Sequence, residues 1–222
     1  MEVDNSFIFR APKQDHDAEL TIKRSRFIGS VRVVLSVDEA NEHIKNFPAF
    51  LPKATHYCWA YRIGHGNQLQ EHCSDAGEPA GTAGRPILGS IKRNLLENTL
   101  VVVTRYFGGV KLGVRGLIDA YEAAAELAIS EAGAVTLEVH NKLELACDYD
   151  FSKTLATTIK KWGFDEEHYS ATYGMNVGFS LDVPMSAKDK IMPEITEWRA
   201  RGFIEEPVWD DIPLLHPRWY EN

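Results

Sequence analysis

Alternation and helical spacing divide the chain into elements before any chemistry is considered. Glu19 to Val34, ELTIKRSRFIGSVRVV, alternates apolar and polar positions and is rich in β-branched residues, which predicts one long strand or two short ones. Ser36 with Glu39 three residues on predicts a capped helix, with Ala40, Ile44 and Phe47 on one face, that Pro48 and Pro52 bring to an end. Thr55 to Ile63 predicts a strand with Tyr57, Trp59 and Tyr61 on one side and His56, Cys58 and Ala60 on the other. A short helix is expected from Pro86 and a second strong strand over Leu100 to Phe107. The clearest helix follows, roughly Leu112 to Ala132, with Leu117, Tyr121, Ala124, Ala128 and Ala132 as its buried stripe and Gly133 as its stop.

The remainder repeats a pattern. A strand, KLELACDY, leads to a helix capped at Asp150 that stops at Gly163 before Phe164; a later helix capped at Ser186 stops at Gly202 before Phe203. Between them DEEHYSATY and MNVGFSLDV alternate around Gly174. The order β-α-β-β-α-β is that of a ferredoxin-like domain. Asp210 to Asn222, with Pro213 and Pro217, is expected to be irregular. The boundaries are placed at 1–137 for a first domain, 138–210 for a ferredoxin-like second domain and 211–222 for an irregular acidic tail.

Charge sharpens the division. Residues 1–137 carry 15 Lys and Arg against 16 Asp and Glu, whereas residues 138–222 carry 9 against 16. Only residues 72–116 are locally basic, with Arg85, Lys92, Arg93, Arg105, Lys111 and Arg115 against Asp75, Glu78 and Glu97. The overall net charge of -8 argues against indiscriminate nucleic-acid binding. No apolar run approaches the ~20 residues that span a membrane, and the amino terminus is acidic where a signal peptide would be basic, so a cytoplasmic setting without membrane association is expected. Cys58, Cys73 and Cys147 are an odd number without framework spacing, which fits reduced thiols.

The basic segment also holds the unusual chemistry. Ser74 to Gly84, SDAGEPAGTAG, contains three glycines, three alanines, one proline and two acids, and Gly108-Gly109 follows the strongest strand. Such glycines serve either a close approach to a ligand or the architecture of a corner. An anion reading has Gly108-Gly109 at a helix start with Lys111 beside it, but the spacing is neither GxxxxGK[ST] nor GxGxxG. Arg105 falls on the same strand face as Val101, Val103 and Phe107 and needs a partner, for which Asp75 and Glu78 are the candidates. That pairing would make SDAGEP and RYFGG one site, either a structural ion pair or a ligand-orienting one. His56, Cys58, His65, His72 and Cys73 lack CxxC or HxxxH spacing, so no metal is expected. No cysteine has an activating setting and Ser74 lacks GxSxG, so no catalytic residue is assigned. The Tyr57, Trp59, Tyr61 face could stack bases, although alternating aromatics in a strand more often form core.

Taken together, ATHYCWAYRI, SDAGEPAGTAGRPIL and VVVTRYFGGVKLGVRGLIDAY, in this order, resemble the IMPACT/YigZ family, in its bacterial form. The resemblance implies an α+β protein. Its first domain would have the left-handed βαβ fold shared with a ribosomal protein domain and GHMP kinases; its second would be ferredoxin-like, similar to a terminal domain of elongation factor G. It also implies a role in or near translation or its stress regulation, since eukaryotic members act there by protein binding. The chain departs from the family pattern at Ala76 and Ala80, where an acid and a serine are usual, and at Arg115 and Asp119. Losing the second acid weakens any paired-carboxylate metal site. The expected partners are RNA or the ribosome, or a regulatory protein, without cofactor. The residues expected to touch ligand or RNA are Asp75, Glu78, Gly81, Thr82, Arg85, Arg105, Tyr106, Gly108, Gly109 and Lys111. The alternatives are a phosphate cradle for a nucleotide or phosphate ester, and a protein-binding module marked by an apolar patch involving Trp209 and Trp219.

Overall fold

The alternation of Glu19 to Val34 resolves into two antiparallel strands turned at Lys23 and Arg24, both with positive φ. This computed structural model describes residues 7–210 and 214–217. The first part of the chain forms β1 (Ile8–Pro12), β2 (His16–Ile22), β3 (Ser25–Val33), α1 (Val37–Phe50), β4 (His56–Ile63), β5 (Gln70–Ser74), α2 (Gly84–Arg93), β6 (Thr99–Tyr106) and α3 (Gly113–Ala132). There follow β7 (Ala134–Cys147), α4 (Tyr149–Lys161), β8 (Tyr169–Tyr173), β9 (Val177–Pro184), α5 (Lys188–Ala200), β10 (Val208–Trp209) and β11 (Leu214–Pro217). The α+β class follows from these elements. The chain divides into two units, Phe9–Thr136 and Leu137–Asn222, the latter grouped with Met1–Ile8.

The sheet of the first unit is antiparallel in the order β2-β3-β6-β4-β5. Its central strand is buried on both faces, which is why it reads as an unbroken apolar run. Val101 and Val103 pack with Phe27, Ile87, Leu117 and Tyr121 under α2 and α3. Leu100 and Val102 pack on the opposite face with Ala40, Phe47 and Tyr61 under α1. Tyr57 and Trp59 join that second cluster, and Trp59 stacks on Tyr61 at 5.7 Å between ring centroids. The aromatic face therefore packs onto the second core cluster.

The alanine stripe of α3 lets the helix backbone approach β3 closely. A Cβ at Gly29 would stand 2.3 Å from the carbonyl oxygen of Ala124. Ala120, Ala124 and Ala128 are fully or almost fully buried on that side.

In the second unit β7, β9 and β8 are adjacent and antiparallel, and β10 and β11 both pair with β7. Leu143, Leu145, Val177, Phe179 and Leu181 pack against Leu155, Ile159, Ile191 and Ile195 of the two helices. Both helices end alike, as the sequence repeat predicts. Gly163 and Gly202 have positive φ, the Phe164 N–H donates to the Ile159 carbonyl and the Phe203 N–H to the Trp198 carbonyl.

Several local expectations are corrected. Pro48 lies inside the last turn of α1 instead of ending it, where the one bond its missing N–H forfeits is cheap and Leu51 still donates to Phe47 at 2.9 Å. The α4 cap position is Asp148, with Asp150 in the first turn, and the Ser186 hydroxyl donates to Glu138 instead of capping α5. Within the tail expected to be irregular, Leu214–Pro217 is a strand paired with Leu137 to His140. Trp209 is half-buried against the second core under the Lys188 ammonium; Trp219 lies outside the described residues.

Gly29→Ala should lose about 1–3 kcal/mol through this overpacking, read as a lower urea midpoint. Gly174→Ala, where the nearest atom to an added Cβ is 3.8 Å away, should stay within about 0.5 kcal/mol of the parent. Equal stability of the two variants would refute the close helix approach.

Candidate functional site

Asp75 closes the glycine-rich loop on itself. Its carboxylate accepts from the N–H groups of Gly81, Ala83 and Gly84 at 2.8, 2.9 and 2.8 Å, at the start of α2. Its carbonyl accepts from the Glu78 N–H at 3.0 Å, across a turn whose central residues, Ala76 and Gly77, both have positive φ. The Thr82 hydroxyl donates to the Pro79 carbonyl at 2.7 Å, and Thr82 is buried. A Cβ at Gly84 would lie 2.8 Å from the backbone of Ser74, so the loop ends touch through bare main chain. Burial is the largest single influence on the Asp75 carboxyl and pushes it up, but together the three N–H donors and Arg85 hold it below the usual range.

With Asp75 turned to the backbone, Arg105 takes Glu78 alone. The two side chains are 2.6 Å apart and only 6% and 4% exposed. Tyr121 donates its hydroxyl to the same Glu78 oxygen at 2.8 Å, and the His56 ring lies 3.9 Å from it. The guanidinium also reaches Ser25 Oγ at 3.4 Å and lies over the rings of Phe27 and Phe107 at 5.4 and 5.5 Å. The structure thus joins SDAGEP to RYFGG through Glu78, with Tyr121 supplying the contact that sequence reasoning missed. The available signal was a tyrosine in an apolar helix stripe, whose hydroxyl needs a partner when buried.

The second glycine corner is built by close packing. A Cβ at Gly108 would fall 1.9 Å from the Arg24 carbonyl, and the Gly108 N–H donates to Ser25 Oγ at 3.2 Å. Gly109 has positive φ with open space around it. The helix begins only at Gly113, so the corner is not itself the helix start that the anion reading needs. Tyr106 faces elsewhere, its hydroxyl on the Pro52 carbonyl and its ring under Arg26. Arg85 and Lys111 are exposed.

A hollow of about 350 Å³ lies between these pieces, with Glu78 and Arg105 at its base and Phe107, Lys111, Val114 and Leu117 among its walls. Its surroundings are apolar and open: Phe107 is 47% and Val114 62% exposed, with Val110 beside them. Of the six cations of the basic segment, four are engaged. Lys92 pairs with Glu71, Arg93 with Glu122 and Glu126, Arg105 with Glu78 and Arg115 with Asp119. Cys58, buried beneath the loop, donates to the Asp75 carbonyl, and burial pushes its thiol up to about 12, which keeps it a protonated non-nucleophile.

Residues 23–129 match the Impact N-terminal domain family. The chain is 35% identical over 188 residues to the IMPACT family member YvyE of Bacillus subtilis (strain 168), covering 84% of this chain and 82% of that one. The chain belongs to the IMPACT family. An IMPACT family member of Haemophilus influenzae is 30% identical over 190 residues, covering 85% of this chain and 91% of its own. A solved structure of a hypothetical protein shares the fold with a TM-score of 0.62 at 24% identity, over 96% of this chain and 98% of that chain. The matched IMPACT segment contains both glycine-rich pieces, Glu78, Arg105 and Tyr121.

Removing one partner of the buried pair should be costly: Glu78→Gln and Arg105→Met are each expected to lose about 3–5 kcal/mol. The double variant should lose less than the sum, and strictly additive losses in urea unfolding would show the pair is not coupled. Asp75→Ala should lose about 1–3 kcal/mol by orphaning buried N–H groups. Because its folded carboxyl is depressed, Asp75 stabilises the fold above the unfolded value of about 3.9. The gap between wild type and Asp75→Ala should therefore close as pH falls below about 4, and a gap that widens there would contradict the assignment.

Proposed function

We propose that the chain is a non-catalytic binding protein acting in or near translation or its stress regulation, and that it engages a protein partner through the corner formed by Phe107, Val110 and Val114. The observation that carries this reading is the open apolar rim around a buried, internally neutralised ion pair. An apolar rim with an arginine and aromatic rings at its base is the composition of a protein-binding anchor site. Family membership supplies the setting of translation, as the motifs imply.

RNA or ribosomal RNA is the second reading, and it rests on Arg85 and Lys111. A phosphate backbone needs many uncommitted cations, whereas four of the six in this segment already hold carboxylates. A phosphate cradle is less favoured again, because Asp75 occupies the N–H groups at the start of α2 that an anion would take. The two units are read as an IMPACT-type domain and a ferredoxin-like domain. For the latter, the order β10-β7-β9-β8 with two helices on one face supports the name. A cytoplasmic location accompanies the translational role; no helix among the described residues is long and apolar enough to cross a membrane.

Tagged protein recovered from gently lysed cells should keep its partner at about 1 M salt, where the Debye length is about 3 Å. Phe107→Ser with Val114→Asp should weaken retention by about 10-fold or more. Arg85→Glu with Lys111→Glu should leave it intact. RNA that elutes as salt rises and is lost only in the charge-reversed variant would replace the protein reading with the RNA one. A co-purifying nucleotide would replace both.

A further inference from the structure

The second unit gathers metal-ligating side chains on the sheet face opposite its helices. Residues paired across antiparallel strands point to the same side. His216 of β11 pairs with Glu138 of β7, and Asp182 of β9 pairs with Lys142 of β7. Glu138, His140, Asp182 and His216 therefore share one face, away from Leu143, Leu145 and Leu181, which pack under α4 and α5. His140 and Asp182 stand 42 positions apart in the chain and His216 follows later still, so no short metal-site motif marks the group in sequence.

We propose that His140, Asp182 and His216 form a binding site for a divalent transition cation of the zinc type, with Glu138 as a fourth, neutralising carboxylate. His140 Nδ1 lies 3.1 Å from Asp182 Oδ1, and His216 Nε2 lies 3.0 Å from Asp182 Oδ2. The two imidazole centroids are 4.8 Å apart, and one ligand atom from each of the three residues falls within 4.8 Å of the others. Ligands at about 2.0–2.1 Å from a tetrahedral zinc ion stand about 3.3–3.4 Å from one another. Two separations already approach that value. The third closes by rotation of His216, which is 39% exposed on a short strand. On binding, the proton of each contacting ring nitrogen moves to the other ring nitrogen or leaves to solvent.

Charge is the second observation. Glu138 is fully buried, one oxygen accepting from the Ser186 hydroxyl and the other, Oε2, without a hydrogen-bond partner among the described residues. Lys142, opposite Asp182, makes no ion pair with it among the described residues. Glu138 and Asp182 thus put two carboxylates on the sheet face that carries the buried His140 imidazole, and burying such charge favours a nearby cation. Imidazole with carboxylate suits zinc better than calcium or magnesium. A bound ion would clip β11 to β9 across the intervening β7.

The test uses the full chain freed of metal. Zn²⁺ titrated by calorimetry should bind at one ion per chain and raise the melting temperature, and Co²⁺ should give a tetrahedral visible spectrum without a thiolate charge-transfer band. His216→Ala and Asp182→Asn should each weaken Zn²⁺ binding by about 100-fold or more, and Glu138→Gln by about 10-fold. His216→Gln serves as the second variant if alanine loosens β11. Absence of saturable binding by the wild type, a thiolate band that places the ion on Cys58, Cys73 or Cys147, or full binding by His216→Gln with Asp182→Asn would each overturn the assignment.

Discussion

The first unit turns on one buried ion pair. Arg105 sits in the most buried strand of the sheet, and its charge is tolerable only because Glu78 lies 2.6 Å away on a loop that must be held in place to deliver it. The arrangement explains the composition of that loop. Asp75 pins it to α2, Gly84 lets it pass against Ser74, and Tyr121 reaches from α3 to share the Glu78 oxygen. Three elements distant in sequence are thereby tied to one guanidinium, and the hollow above it inherits their positions.

Much of this was legible in the chain. The run VVVTRY places an arginine where only a paired one can be buried, and two acids stand in the single loop rich enough in small residues to come near it. Which acid pairs was not legible. Asp75 and Glu78 are alike in type, and the choice is made by three backbone N–H groups, of Gly81, Ala83 and Gly84, that only the folded loop brings together. The glycine-before-phenylalanine helix stops at Gly163 and Gly202 were readable because they are local. Caps at Asp150 and Ser186 were misread by one or two positions because polar side chains near a helix start have other partners to choose from, as Ser186 does in Glu138.

The least legible feature is the histidine and carboxylate group of the second unit. His216 belongs to a stretch that composition marks as irregular, with prolines on both sides, and its strand is set by the long edge of β7. Neither periodicity nor spacing reports a partner 76 positions away; only register across three strands does. The unequal charge of the two halves likewise takes on a location, since part of the acidic excess lies on a sheet face and not in a tail.

The contact between Gly29 and the Ala124 carbonyl leaves no side chain between helix and sheet to act as a cushion. At this point helix and sheet meet through main chain, while Leu117 and Tyr121 pack on Phe27, Val101 and Val103 elsewhere along α3. Phe107, Val110 and Val114 project from the free end of this rigid frame into solvent. The exposed side chains of Val110 and Val114 can consequently be exchanged at little cost to the packing beneath them. Close packing and solvent-facing surface are in this way assigned to different positions of α3, Ala124 and Val114.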